Sequence, residues 1–149
     1  MQYPLPEGLI ETPAPVLDQS MNVLVFQEPE SRANYTIVIN RDRMNAGETV
    51  ERYCQRQIKT LGRQFDEYTV EQELVLHARE SVHPYATFAS RFRQSGTPVH
   101  QIQCAIRLAD ESGVIIFTLG SSAPFNEAQR AHHATVVSSF MNSMTAVIK

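Results

Sequence analysis

Five histidines, two cysteines and a pair of neighbouring glutamates are the residues here whose types could do chemistry. His132 and His133 are adjacent in a stretch of helical period. They point about 100° apart and cannot hold one ion together. His77, His83 and His100 fall on three different strands or turns, and no H-x-x-x-H, C-x-x-C or H-E-x-x-H spacing occurs. A metal site, and with it a metal cofactor, is therefore not expected. His133 is expected to be partly buried and the other four to lie at the surface.

Glu71 and Glu73 are two apart on one strand and share a face. Paired carboxylates can do acid–base work, but exposed strand glutamates are far commoner. There is no G-x-S-x-G and no phosphate-binding glycine loop. "GSSAPF" sets two serines beside a helix start, which is ordinary capping chemistry. No catalytic residue and no cofactor are expected, and the chain does not read as an enzyme. Cys54 and Cys104 are far apart and each sits on an apolar face. A disulfide between them is open, and buried free thiols in a reducing compartment are the plainer reading.

The elements that must position these groups fit one domain, residues 1–149. Net charge is -3 and the pI about 5.9, which disfavours nucleic acid as a partner. No basic segment followed by an apolar run opens the chain, and no stretch approaches the ~18 apolar residues of a spanning helix. The expectation is a cytoplasmic protein without membrane insertion.

The first 19 residues are rich in Pro and read as extended. "SMNVLVFQ" and "NYTIVINRD" read as a hairpin. Val50, Tyr53, Cys54, Ile58, Leu61 and Phe65 then recur at helical spacing, with Asn45 and Glu48 as a capping box. Four strands follow: "YTVEQELVLHAR", "YATFASRFRQ", "VHQIQCAIRLA" and "GVIIFTLG". The last two are joined by a turn at Asp110–Gly113. A second helix after Pro124 carries the stripe His133, Val136, Val137, Phe140, Met144, Val147 and Ile148. The order predicts an α+β fold, a mainly antiparallel sheet with both helices on one face.

Strand parity then sorts the side chains. The purely apolar sets, such as Met21, Val23 and Val25 or Ile102, Cys104 and Ile106, are assigned to the helix-covered core. The mixed sets place Leu24, Phe26, Val38, Gln101, Gln103, Ala105, Val114 and Ile116 on the opposite face, read as a concave groove. An uncharged apolar surface of this kind marks a binding or association site. Glutamine there supplies hydrogen bonds without a charge to desolvate. The competing occupants are the N-terminal segment and a second subunit.

"YPLPEGLIETP", followed by "VLDQSMNVLVF", resembles the start of DcrB-related domains, and "YCQRQIKTL", the meander and the last helix continue the likeness across nearly the whole chain. Without an export signal, the chain is similar to the Eag chaperones of type VI secretion systems, and most to the pseudomonad member of that set. The resemblance implies a Mog1/PsbP-like sandwich and a homodimer. It also implies a role: shielding the transmembrane segments of a PAAR-containing effector and helping load it onto the spike. Leu24 and Val38 would supply apolar contact, and Gln101 or Gln103 would bond polar groups of the client. A small-ligand carrier or enzyme using the same concavity is the alternative.

Overall fold

The computed structural model describes residues 1–16, 18–110 and 112–148, with side chains in the last helix described as far as Met144. Glu111 and the side chains of Val147 and Ile148 therefore lie outside the described residues.

The N-terminal segment is more ordered than its proline content suggests. β1 (Gln2–Leu5) and β2 (Gly8–Glu11) form a hairpin closed at Pro6–Glu7, with Tyr3 opposite Ile10. Proline at the first corner of that turn presets its φ. Tyr3 OH then reaches the Asp18 carboxylate and lies 2.8 Å from Ser20 Oγ, which ties the hairpin to the next strand.

β3 (Met21–Gln27), β4 (Asn34–Arg43), β5 (Asp66–His77), β6 (Tyr85–Gln94), β7 (Thr97–Arg107) and β8 (Gly113–Ser121) build one antiparallel sheet in the order β3-β4-β8-β7-β6-β5. β8 is thus inserted between β4 and β7. The β6–β7 turn has Ser95 at φ 53° and Gly96 at φ 80°, the left-handed pair that suits a two-residue hairpin.

α1 (Val50–Gln64) is capped by Thr49, whose side chain accepts from Arg52 N. The Asn45–Glu48 pair forms just before it, Asn45 N donating to Glu48 Oε1 at 3.0 Å, so the box closes the preceding turn and not the helix itself. α2 (Glu127–Ile148) starts from Asn126, which accepts from Gln129 N at 2.8 Å while Asn126 N donates to Gln129 Oε1 at 3.1 Å. That reciprocal pair satisfies two amides the first turn leaves free.

The α+β class and the six-stranded sheet stand as expected, and the placement of the helices does not. α1 packs with Tyr53 and Cys54 on Ala86, Phe88, Ala105, Val114 and Ile116. α2 packs with Val137, Val136 and Phe140 on Cys104, Ile106, Ile115 and Phe117. Residues 104 and 105, and 115 and 116, are strand neighbours and face opposite ways. The helices therefore lie on opposite faces, and neither face is left wholly bare. The physical reason is visible in "GVIIFTLG". A strand covered on both sides is apolar at both parities, so parity cannot choose its core side.

α2 is held by His133 as well as by its apolar stripe. His133 is buried, and its Nε2 donates to the Phe117 carbonyl at 3.0 Å. Burial pushes its imidazole below the ordinary 6.5, against a smaller upward effect of that hydrogen bond. The folded state thus binds the proton less readily than the unfolded one. The contribution is complete above about 6.5 and shrinks as the pH falls below that value. We expect thermal stability to drop between pH 7 and pH 5 more steeply in the native chain than in His133→Asn. Equal slopes in pH-resolved melting curves would contradict it.

Candidate functional site

Hydrogen-bond register carries each face across the sheet. Gln101, Gln103 and Ala105 on β7 stand opposite Gly120, Thr118 and Ile116 on β8, which stand opposite Thr36, Val38 and Asn40 on β4, which stand opposite Val25, Val23 and Met21 on β3. All share the face on which α1 lies. α1 packs against β5, β6 and β7 and onto Val114 and Ile116 of β8, so the β3–β4 side of this face stays open.

That open floor is apolar at one side and neutral-polar at the other. Met21, Val23 and Val25 are 58%, 56% and 60% exposed. Val38, Thr36 and Asn40 beside them are half-buried, and Gln101 and Gln103 form the border next to α1. Gln103 Nε2 donates to Gln101 Oε1 at 3.1 Å, which aligns the two amides along β7. No ionisable side chain stands in this set. A Cβ added to Gly120 would lie 3.0 Å from Thr36 Oγ1, so glycine keeps the floor shallow at that point.

Where the floor meets the foot of α1 there is a cleft of about 190 Å³ lined by Asn40, Tyr53, Gln57, Gln103 and Thr118 among others. Asn40 Oδ1 is buried there without a hydrogen-bond partner. A buried unsatisfied acceptor of this kind costs free energy until something donates to it. Tyr53 OH instead donates to Asp42 Oδ2 at 2.7 Å. Burial, the largest cause, and that bond together push its phenol far above the usual tyrosine range.

Of the eight residues expected to share the groove, the register brings six to one face. Val38, Gln101 and Gln103 border or form the open floor. Ala105, Val114 and Ile116 are on the same face but buried under α1. Leu24 and Phe26 face the other way, because Leu24 pairs with Ile37 and Phe26 with Tyr35. Phe26 meets His132 edge-on at 4.5 Å, and Tyr35 OH and His132 Nδ1 share a 2.8 Å hydrogen bond. The row sequence reasoning missed is Met21, Val23 and Val25, taken for core. "MNVLVFQ" is apolar at both parities, so only its place at the sheet edge reveals the exposure.

The remaining candidate groups do not converge. Among the described residues no three His, Cys, Asp or Glu side chains stand together as metal ligands. His77 is hydrogen-bonded to Thr87, His100 lies 3.5 Å from Glu71, and His83 is buried with Nδ1 donating to the Arg107 carbonyl. His83 was expected at the surface. The Pro84–Arg107 pairing that closes β7 draws it in. Cys54 and Cys104 are free and buried, and burial pushes both thiols up to about 12. A cleft of about 870 Å³ at the start of α1 is elsewhere and strongly charged. Its Glu48 pairs with Arg56 at 2.8 Å and its Glu51 with Arg79 at 3.9 Å, so much of its charge is already matched within the chain.

Among the described residues no helix is long and apolar enough to cross a membrane. The chain is similar to the crystal structure of PA94, a Pseudomonas aeruginosa protein of unknown function described as a candidate regulator. The TM-score is 0.66 at 22% identity, over 95% of this chain and 92% of that one. At that identity the likeness shows a shared fold. A search of the curated proteins gives no match. The DcrB family model matches residues 7–139, from the start of β2 well into α2, and the chain belongs to the DcrB family.

Proposed function

We propose that this chain is a non-catalytic, cytoplasmic chaperone that shields the transmembrane segments of a PAAR-containing type VI effector before the effector is loaded onto its spike. One observation carries the reading: Met21, Val23 and Val25 stand more than half exposed beside Val38, Thr36, Asn40 and the Gln101–Gln103 pair, with no charge among them. A segment of ~20 apolar residues aggregates in water. Each Å² of its surface covered by such a floor contributes about 25 cal/mol. The glutamines and Asn40 offer hydrogen bonds without requiring a charge to leave water. The resemblance to Eag chaperones supports the choice of client.

The test is a solubility assay with a synthetic ~20-residue helical segment from such an effector. We expect the full chain to keep it in solution and to co-elute with it. Equal aggregation with and without the chain would overturn the proposal. The unpaired Asn40 acceptor in its 190 Å³ cleft favours a second reading, a small-ligand or enzymatic domain. That reading predicts that a small hydrogen-bond donor occupies the cleft and displaces no segment.

A further inference from the structure

The charged cleft at the start of α1 holds more positive charge than the chain matches. Glu48 is saturated: Arg56 donates to both of its carboxylate oxygens, at 3.0 and 2.8 Å, and Asn45 N donates to one of them. Glu51 lies 3.9 Å from Arg79. Arg52 and Arg107 line the same cleft, and among the described residues neither guanidinium has an ion pair or a hydrogen bond. Two unmatched positive charges thus stand together in a chain of net charge -3.

Both arginines are held from below. Arg107 ends β7, where its amide donates to the Pro84 carbonyl at 3.0 Å and its carbonyl accepts from Nδ1 of the buried His83 at 2.9 Å. Arg52 stands on the first turn of α1, its amide donating to Thr49 Oγ1 at 3.2 Å. The Val50 and Glu51 amides of that turn have no acceptor among the described residues, and they add donors to a site that the two arginines define. Val50, Leu76 and Pro84 give the cleft an apolar wall.

Guanidinium groups take carboxylates and phosphates alike. Three features here favour carboxylates. The free charges are single and on two separate side chains. Glu48 and Glu51 stand in the same wall and repel a dense anion. The volume of about 870 Å³ is near the top of the range for ligand pockets, about 300–1,000 Å³, far more than one phosphate fills. We propose that this cleft docks an acidic peptide segment of a partner protein, with Arg52 and Arg107 each taking one carboxylate and the apolar wall taking the aliphatic residues between them. The cleft lies on the β5–β7 side of α1, where Leu76, Pro84 and Arg107 stand, and the open floor lies on the β3–β4 side. A partner docked there leaves the floor free.

The experiment is fluorescence anisotropy of a labelled peptide alternating Glu and Leu, titrated with the full chain, beside the same peptide with Gln for every Glu. We expect the acidic peptide to bind, more weakly as salt screens the charges, and the Gln peptide not to bind. Arg52→Gln and Arg107→Gln should each weaken binding at least about tenfold, the loss of one charge-assisted pair. Arg52 is exposed, so its variant tests the site even where Arg107→Gln fails to fold. Arg91→Gln is the control, an exposed arginine opposite His100 on the α2 face, and should change nothing. No binding of the acidic peptide, equal binding of the two peptides, native affinity in Arg52→Gln, or an equal loss in Arg91→Gln would each overturn the site. Displacement by inorganic phosphate at an ionic strength where sodium chloride displaces nothing would overturn the choice of carboxylates. Retention of an apolar segment should be the same in Arg52→Gln as in the native chain. Failure of the acidic peptide to bind therefore leaves the chaperone reading standing, and lost retention in Arg52→Gln would overturn the separation of the two sites.

Discussion

Val23→Asp should weaken retention of an apolar helical segment by at least about a hundredfold, while the melting temperature changes little. The argument is one of desolvation. Val23 sits in the middle of the open row and is already 56% exposed, so the free chain keeps the new carboxylate in water. A helix laid across the floor removes that water. An unpaired carboxylate taken out of water costs several kcal/mol even after relaxation, and each 1.4 kcal/mol is about tenfold in affinity. Val75→Asp is the matched control. Val75 is 50% exposed, but it lies on the outer strand β5 and its partner Thr87 places it on the α2 face. Titration of a labelled segment against both variants reads the difference. Equal affinities for the two would remove the floor as the binding surface. Sedimentation of Val23→Asp alongside reports any effect on self-association separately.

Much of the fold is legible from local pattern. The helical spacing of Val50, Tyr53, Cys54 and Ile58, the alternation within each strand and the turns at Ser95–Gly96 and after Leu108 are set by neighbours in sequence. The face each strand presents is not. Ile115 and Ile116 are chemically identical, and one meets α2 while the other meets α1. The choice depends on which strands flank β8 and on which side each helix returns, and both are long-range facts. The same limit explains Met21, Val23 and Val25. Their apolarity marks core in a central strand and a contact surface in an edge strand, and edge position follows from strand order. Gln101 and Gln103 were legible as a pair looking at something other than bulk water. The structure adds that each looks partly at the other, at the border between α1 and the open floor.

The division of the core between two faces has its own measurable result. Phe117 is 3% exposed, its ring lies 5.2 Å from that of Phe140, and it packs with Cys104, Ile115 and Val137 in the α2 layer. Phe117→Ala should destabilise the chain by about 3–5 kcal/mol, the transfer term plus the cavity. At about 2–4 °C per kcal/mol for a chain of this size, the melting temperature should fall by roughly 10 °C. The loss should not spread evenly. His133 bonds to the Phe117 backbone carbonyl and keeps its partner in the variant, whereas Val137 and Phe140 lose the ring they rest on. α1 stands on Phe88, Ala105 and Ile116 across the sheet and keeps its contacts. Local opening follows local packing, so amide exchange should quicken in α2 well before α1. If both helices opened together, they would share one core, and the arrangement of one helix on each face that leaves the β3–β4 floor open would be wrong.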